Sequence, residues 1–533
     1  MSYIKAGELK AKLSGYKEIA VIDIREGGVH AKDGHILRSI SLPISQFELS
    51  LATLVPLENT EIIVYDGGAD CTLHQTAISK LQELGYTNVL ALQGGTEAWK
   101  AAGFELFTGT HVIGKAFGEL VEEHYETPHV SVMELKRLKE TGENVIILDC
   151  RPAGEYANFT VPGAIDLPGA ELVYRFHEAV KDPDALVVVH CAGRTRSIIG
   201  AQALINAGIP NKVASLANGT MDWLLNGFDV NPGEYPVVPA PTDETLKPAL
   251  ESANKLQNEF NLKFITETDL KIFQRDSLEG RRSLYLLDVR SQSEFSRGHL
   301  PGSQWAHGGQ LVQQIGEWVG TQNARIVLVD SSDAVRASIT ASWLSQINWG
   351  EVFILRNALS GPVAVGIAEK RLVKRPPDVS TIAVADLAKL ATSTDHVFFD
   401  LSTSTTYISG HIPNSRFVLR THLEEALQEL GSGFKVVLTS GDGLLATFAA
   451  ADVSTNAAWD VVVLEGGTAA WIAEGHPLEQ GAQNAYHPFI DAWHNPYLVE
   501  DKHAAFREYL DWELQLVAQL ERDGTARFRL PSR

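Results

Sequence analysis

The pattern of apolar and polar segments repeats four times along the chain. Each copy starts with a short apolar strand pattern that ends in aspartate, and a Gly- and Pro-containing turn leads on to a second, continuous apolar strand. The four aspartates, in VIDIR, ILDCR, LLDVR and FFDLS, are Asp23, Asp149, Asp288 and Asp400. The second strands, EIIVY, LVVVH, RIVLV and KVVLT, are followed, 40 to 43 residues after those aspartates, by Asp66, Cys191, Asp330 and Ser440. The matching order and spacing predict one structural unit in four copies.

Continuous apolar strands that alternate with helix-length segments predict an α/β fold, in which helices cover both faces of a parallel sheet. Prolines in VNPGEYPVVPAPTDE and AEKRLVKRPPDVS interrupt regular structure between the later copies. The aromatic and helix-forming residues of FREYLDWELQLVAQL suggest a structural rather than a catalytic role for the end of the chain. The predicted domains are 1–107, 125–230, 262–362 and 376–480, followed by a helical C-terminal extension, 484–533.

Bulk composition narrows the function classes. The chain has 533 residues, too many for one hydrophobic core, and 44% of them are hydrophobic. A net charge of −21 argues against a nucleic-acid partner, which needs concentrated Lys and Arg. Three cysteines make no disulfide framework and fit a reducing compartment. The start of the chain lacks a secretory signal, and the apolar runs are too short to cross a bilayer. These features favour a cytoplasmic protein without membrane or nucleic-acid partners.

The second copy carries the candidate chemistry, because its strand LVVVH is followed by the loop CAGRTRS, residues 191–197. Strand ends that open helices are where α/β proteins place functional residues. Loop N–H groups and the start of a helix favour a thiolate, and such positions lower a cysteine pKa from about 8.5 to roughly 3.5–7.5. Arg194 and Arg196 add positive charge. The loop therefore suits a nucleophile, Cys191, that reacts with a small anionic donor.

With its Asp-x-Arg strand, its cysteine loop and a later Gly-Thr-x-x-Trp turn, this pattern resembles the rhodanese family. The resemblance covers nearly the whole chain as four tandem rhodanese-like domains. It implies five-stranded parallel sheets and a cysteine persulfide that takes sulfur from thiosulfate or a related donor and gives it to cyanide or another thiophilic acceptor, a small molecule or a protein. The resemblance implies no cofactor and no metal for this reaction. Cys191 matches the family nucleophile, and the implied substrate-binding residues are Ala192, Gly193, Arg194, Thr195, Arg196 and Ser197.

The same alignment predicts that the other three copies are inactive. Asp66, Asp330 and Ser440 occupy the nucleophile position, and none of these side chains can carry a sulfane sulfur. Their loops GGADC, SSDAV and GDGLL also lack the paired arginines. We expect these copies to contribute stability, partner binding or walls of the Cys191 pocket.

Residues around the loop have less specific interpretations. Cys71 follows the nucleophile position by five residues and is expected to be a bystander, with a redox-sensitive thiol as the alternative. Cys150 is expected to be a packed strand residue, with a resolving thiol as the alternative. Asp149 and Arg151 are expected to form a structural ion pair, and His190 to be a strand-end residue rather than a proton donor.

The leading hypothesis is a thiosulfate sulfurtransferase. A mercaptopyruvate sulfurtransferase uses the same chemistry on a monoanionic donor, and the two arginines lean toward the dianion thiosulfate instead. A third hypothesis is a persulfide carrier or interaction scaffold, in which Cys191 only relays sulfur. A phosphatase is disfavoured because the related phosphatases have a loop longer than the six residues from Cys191 to Arg196.

Overall fold

Four five-stranded parallel sheets make up the protein in the computed structural model, which describes residues 2–68, 71–390, 396–431, 433–454, 459–493 and 495–532. All four sheets share one strand order, in which the first strand is followed by the fifth, fourth, second and third. Helices lie on both faces of each sheet, which explains why the central strands are apolar at successive positions. The prediction of four tandem α/β units is therefore confirmed.

The first sheet contains Asp23 and lies near the start of the chain. Its strands are β1 (Tyr3–Ile4), β2 (Ala20–Asp23), β3 (Ile40–Ser41), β4 (Ile62–Tyr65) and β5 (Val89–Leu92). Its helices are α1 (Ala6–Leu13), α2 (Gly27–Asp33), α3 (Phe47–Leu54), α4 (Leu73–Glu83) and α5 (Gly95–Ala101), with a 3-10 turn at Ile44–Gln46. A longer helix, α6 (Val112–Tyr125), then leads to the second sheet.

The second sheet carries the CAGRTRS loop. Its strands are β6 (His129–Val130), β7 (Val145–Asp149), β8 (Ala164–Asp166), β9 (Leu186–His190) and β10 (Val213–Leu216). Its helices are α7 (Val132–Glu140), α8 (Ala153–Asn158), α9 (Glu171–Tyr174), α10 (Phe176–Ala179), α11 (Thr195–Ala207) and α12 (Gly219–Leu225). The proline-rich connector that follows ends in helix α13 (Asp243–Glu259), which begins at a capping box formed by Thr242 and Thr245.

The third and fourth sheets repeat the same plan. The third contains β11 (Phe264–Ile265), β12 (Leu284–Asp288), β13 (Gln304–Trp305), β14 (Arg325–Val329) and β15 (Glu351–Leu355), with α14 (Glu267–Leu278), α15 (Gln292–Arg297), α16 (Gly308–Gln313), a 3-10 turn (Ile315–Glu317) and α17 (Val335–Ile347). The fourth contains β16 (Thr381–Ile382), β17 (His396–Asp400), β18 (Arg416–Phe417), β19 (Lys435–Thr439) and β20 (Asp460–Leu464), with α18 (Val384–Leu390), α19 (Ser404–Ser409), a 3-10 turn (Arg420–His422), α20 (Leu423–Leu430), α21 (Leu444–Val453) and α22 (Gly467–Ala473).

The C-terminal segment returns to the body of the protein as a 3-10 turn (Pro496–Leu498) and two helices, α23 (Lys502–Leu514) and α24 (Leu516–Asp523). Phe506 and Leu510 of α23 are buried against Met221 of the second unit. None of the helices in the described ranges is both long and apolar enough to cross a membrane.

The first three repeats share a hydrophobic core on one face of their sheets, and each also has a separate cluster of buried residues. One cluster of buried residues runs from the first unit through the second and third to Ala526 near the end of the chain. The fourth unit has its own cluster, and Leu49 of the first unit is part of it. Buried ion pairs follow the same contacts: Arg336 lies 3.1 Å from Glu171, and Arg420 lies 2.8 Å from Glu48. The catalytic candidate Cys191 therefore lies inside one multi-unit body.

Candidate active site

Cys191 directly follows strand β9 and precedes the loop that opens helix α11. Its side chain is buried, with 2% of its surface exposed. Strand β9 lies in the middle of its sheet, between β10 and β7, and pairs with β7 so that His190 is opposite Asp149. Because the sheet is parallel, the strand ends and their loops meet at one edge, where the sequence placed the candidate chemistry.

A tight turn after β10 holds the cysteine loop from behind. The Thr220 N–H donates to the Cys191 carbonyl at 3.0 Å, and the Met221 N–H donates to the Ala192 carbonyl at 2.9 Å. Gly219 has a φ of +54°, and a Cβ there would lie 2.3 Å from the Cys191 carbonyl oxygen. Only glycine fits that approach. The Gly-Thr-x-x-Trp signature is thus explained as a brace for the loop.

The Cys191 thiol is surrounded by groups that stabilise its ionised form. Burial alone would raise its pKa, but hydrogen bonds from Cys150 and Ser197 and the positive charge of Arg196 lower the pKa to about 5. Cys150 is next to it because both residues extend the paired strand ends by one position. Burial and the neighbouring Cys191 raise the pKa of Cys150 well above its usual value, so Cys150 keeps its proton. At neutral pH Cys191 is a thiolate.

A buried ion pair supports the end of β7. Arg151 Nε lies 3.0 Å from Asp149, whose other oxygen accepts a hydrogen bond from Thr160 at 2.7 Å. Burial raises the pKa of Asp149, but His190, Arg151 and Thr160 outweigh it and hold the pKa at about 2. Equivalent Asp–Arg pairs, each 2.6 Å long, occur in the first and third units. Their recurrence in units without a thiol at the nucleophile position identifies the pair as part of the fold.

Arg196 lies beside the thiolate but is held by a carboxylate. Its two terminal nitrogens lie 2.6 and 3.1 Å from the two Glu155 oxygens, a bidentate arrangement. One of the two nitrogens also lies 3.4 Å from Gln310 of the third unit. Burial lowers the pKa of Arg196, but Glu155 and Cys191 raise it by more than burial lowers it. Arg196 therefore stays a cation. Its contact with substrate remains a prediction.

Arg194 points to helix α6. Its guanidinium binds Glu119 at 2.8 to 3.0 Å, contacts Glu122 and donates to the Asn218 side chain at 3.1 Å. The sequence predicts that Arg194 binds the sulfur donor, but its charge is already compensated by Glu119 and Glu122. Its contact with substrate also remains a prediction, and its evident role is to attach the loop to α6.

The remaining loop residues each have a defined neighbour. The Ala192 carbonyl accepts a hydrogen bond from Tyr497 at 3.3 Å, and Ser197 Oγ lies 3.5 Å from the Cys191 sulfur. Thr195 Oγ1 lies 3.5 Å from Glu513 Oε1. A Cβ on Gly193 would lie 3.2 Å from Glu513 Oε2. The substrate contacts assigned to these four residues are untested by the geometry and stay predictions.

Two segments near the loop escaped the sequence interpretation. Helix α6 falls between the predicted domains, yet Thr195 packs against its Gly118, within 3 Å of where a Cβ would be. Helix α23, for which composition suggested only a structural role, brings Tyr509 and Glu513 onto Gly193. In the sequence, Glu513 falls seven residues after Phe506 and three after Leu510, on the apolar face of a helix, and this position was the available signal.

The other three strand ends are satisfied internally. Asp66 accepts hydrogen bonds from the backbone and ring of His74, and Ser440 accepts one from the Ala446 N–H. In the third unit the cation that the SSDAV loop lacks is supplied one residue further on: Arg336 lies 3.1 Å from Asp330 and is fully buried. The absence of arginine from that pentapeptide therefore did not mean the absence of positive charge.

These contacts predict different consequences for the two loop arginines. Arg196→Ala should raise the pKa of Cys191 and raise the Michaelis constant for thiosulfate by about tenfold or more, since a hydrogen bond to a charged group contributes about 1.5–3 kcal/mol. Arg194→Ala should have the smaller kinetic effect but lower the thermal unfolding midpoint, because it leaves Glu119 and Glu122 without their cation. Steady-state kinetics and thermal melts of both variants test this. Equal Michaelis constants in all three proteins would contradict it.

Comparison with known proteins agrees with the architecture. The family model for the rhodanese-like domain matches residues 5–102, 131–226, 273–361 and 383–474. The crystal structure of thiosulfate sulfurtransferase from Pseudomonas aeruginosa is 40% identical, superposes with a TM-score of 0.93 and covers 100% of both chains.

Curated relatives match single units. A sulfurtransferase of Allochromatium vinosum is 32% identical over 95 residues, which are 18% of this chain and 85% of that protein. The HTH-type transcriptional regulator Rv0324 of Mycobacterium tuberculosis is 36% identical over 100 residues, 19% of this chain, and the match spans only 43% of the regulator. Four family matches along one chain, each on one of the four sheets, leave a single assignment. The protein belongs to the rhodanese-like domain family, as four tandem copies.

Proposed function

We propose that the protein is a thiosulfate sulfurtransferase that carries sulfane sulfur as a persulfide on Cys191 and passes it to cyanide or another thiophilic acceptor. The observation that carries the proposal is the placement of the buried Cys191 thiol directly after β9, on the loop that opens α11, where Cys150, Ser197 and Arg196 lower its pKa to about 5. It is the only one of the four nucleophile positions that has a thiol. The likeness to the Pseudomonas aeruginosa thiosulfate sulfurtransferase over the full chain supports the same donor.

The chemistry needs no external redox partner. The Cys191 thiolate attacks the sulfane sulfur of thiosulfate and forms a new S–S bond, while the old S–S bond breaks and sulfite leaves with the electron pair. Cyanide then attacks the outer sulfur of the persulfide, thiocyanate leaves, and the Cys191 thiolate is restored. The Cys150 thiol and the Ser197 hydroxyl stabilise the thiolate before the first step and after the second.

The charges around the Cys191 loop favour 3-mercaptopyruvate as an alternative sulfur donor. Arg194 and Arg196 are both bound to carboxylates, so the loop offers less uncompensated positive charge than its sequence implied. A monoanionic donor such as 3-mercaptopyruvate needs less uncompensated positive charge for binding than the thiosulfate dianion does. The competing function is therefore a mercaptopyruvate sulfurtransferase with the same Cys191 persulfide.

Measuring kcat/KM for both donors with cyanide as the acceptor tests the proposal. We expect turnover with thiosulfate and a higher kcat/KM for thiosulfate than for 3-mercaptopyruvate. The reverse ranking would replace the donor assignment. Sulfur uptake by the protein without steady turnover on either donor would indicate a persulfide carrier instead of an enzyme.

A further inference from the structure

Helix α6 presents one continuous face to the cysteine loop. Gly118 packs on Thr195, and Glu119 and Glu122 hold Arg194. Lys115 lies on the same face, because residues three and four apart in a helix are neighbours. Its side chain is buried, which is exceptional for lysine without a carboxylate partner.

The Lys115 ammonium lies between aromatic rings of the C-terminal segment. It is 4.8 Å from the ring centroid of Tyr509 and 4.8 Å from that of Trp512. Within the described ranges, no carboxylate oxygen lies within 4.0 Å of the Lys115 Nζ. Arg194 and Arg196 do have such pairs, so Lys115 is the cation beside this loop that remains free to bind an anion.

Glu513 supplies the matching acidic group. It is buried, and one of its oxygens, Oε1, accepts a hydrogen bond from Tyr509 at 2.9 Å. The other oxygen, Oε2, has no hydrogen-bond partner among the described residues and faces Gly193 of the cysteine loop. A buried carboxyl oxygen without a partner is costly in a folded protein, and such groups are characteristic of functional sites.

We propose that Lys115 and Glu513 form an anion-binding subsite of the Cys191 loop, in which Lys115 binds the anionic end of the sulfur donor and Glu513 opposes that binding once it ionises. The inference rests on the proposed function and adds the residues that recognise the donor. Tyr509 and Trp512, the two rings that contact Lys115, also form part of the wall of a groove of about 540 Å³.

The pH at which Glu513 acts follows from its surroundings. Burial raises its pKa, Lys115 opposes the rise, and the result is a pKa of about 7. Below that pH Glu513 is neutral and Lys115 is uncompensated, whereas above it the Glu513 carboxylate faces the cation. Burial also lowers the pKa of Lys115 to about 8, so at still higher pH the cation itself is lost. Donor affinity should therefore fall as the pH rises through about 7. The charged or titratable groups that face the pair are Glu119 and His111 beside α6, Cys191, Arg194 and Arg196 of the loop, and Tyr509 of α23.

Thiosulfate binding to the full-length Cys191→Ser protein, measured by calorimetry, tests the subsite without any chemistry. Adding Lys115→Met should weaken binding about tenfold or more. Adding Glu513→Gln should instead strengthen binding at pH 7, where Lys115 is still charged, since glutamine keeps the shape and removes the charge. A purely structural role would give both changes the same sign. The matched control is Asp511→Asn, an exposed carboxyl on the same helix, which should leave affinity unchanged.

The outcomes separate the subsite from the proposed function. Unchanged affinity in the Lys115→Met protein, or weaker binding in the Glu513→Gln protein, overturns the subsite even if the wild-type protein forms a persulfide. Opposite effects of the two changes, together with no sulfur uptake by the wild-type protein, keep the subsite and overturn the sulfurtransferase assignment. Melts of each variant exclude loss of fold as the cause.

Discussion

Replacing Cys191 by serine is expected to abolish turnover while leaving the fold intact. Serine is close to cysteine in size and keeps a hydrogen bond to Ser197 within the buried site. It cannot form a persulfide, so the intact mass should gain one sulfur atom from thiosulfate in the wild-type protein only, and cyanide should remove that sulfur. Removal of the nucleophile has lowered kcat by on the order of 10⁶-fold in another enzyme, and we expect a loss of that order.

The two other cysteines provide the controls for this experiment. Cys71→Ser and Cys150→Ser should each retain most of the activity, because a hydroxyl at position 150 can still donate a hydrogen bond to the Cys191 thiolate. Appreciable turnover in the Cys191→Ser protein would remove the nucleophile assignment. Complete loss of turnover in the Cys150→Ser protein would point to a dithiol mechanism, in which Cys150 resolves the persulfide.

A fragment of residues 1–230 is expected to lose turnover although it contains the whole Cys191 loop. It lacks Tyr509 and Glu513, which cover Gly193, and it lacks Gln310, which contacts Arg196. A displacement of about 1 Å at a reacting group can reduce the rate by about a hundredfold, and we expect a loss of at least that order. Circular dichroism and steady-state kinetics of the purified fragment measure the two effects.

The complementary fragment provides the control. Adding residues 231–533 in trans should restore part of the activity if the missing contacts are the cause, because the two pieces rebuild one shared core. A fragment of 1–230 with full activity would show that repeats three and four are dispensable for chemistry. In that case their role would be recognition of a partner.

The sequence was sufficient for the repeat architecture and for the place of Cys191 at the end of a central strand. Both depend on local rules: apolar strand patterns, constant spacing, and the tendency of strand ends to carry chemistry. Cys191 stands out because it alone breaks the pattern of Asp66, Asp330 and Ser440. The resemblance of the loop to a known family supplied the prediction of a sulfur-transfer reaction.

The charge balance of the site could not be predicted in the same way. Arg194 and Arg196 appeared available because their partners, Glu119 and Glu155, are distant in sequence and come from other elements. Glu513 is more than 300 residues from Thr195, and only the return of the C-terminal helix brings them together. Such pairings are decided by how the units pack on one another, which a single sequence does not reveal.

The third repeat contains an arginine next to its SSDAV loop, Arg336, that is bound by carboxylates of the protein itself. Arg336 lies against Asp330 and, at the same time, against Glu171 of the second unit and Glu294 of its own. Glu171 and Glu294, two carboxylates of the protein itself, thus bind the Arg336 cation. Groups attached to the same chain act at an effective concentration in the millimolar range or above, so a dissolved anion competes poorly with them. Glu171 therefore acts as a tethered ligand of Arg336, and the ion pair links the third unit to the second.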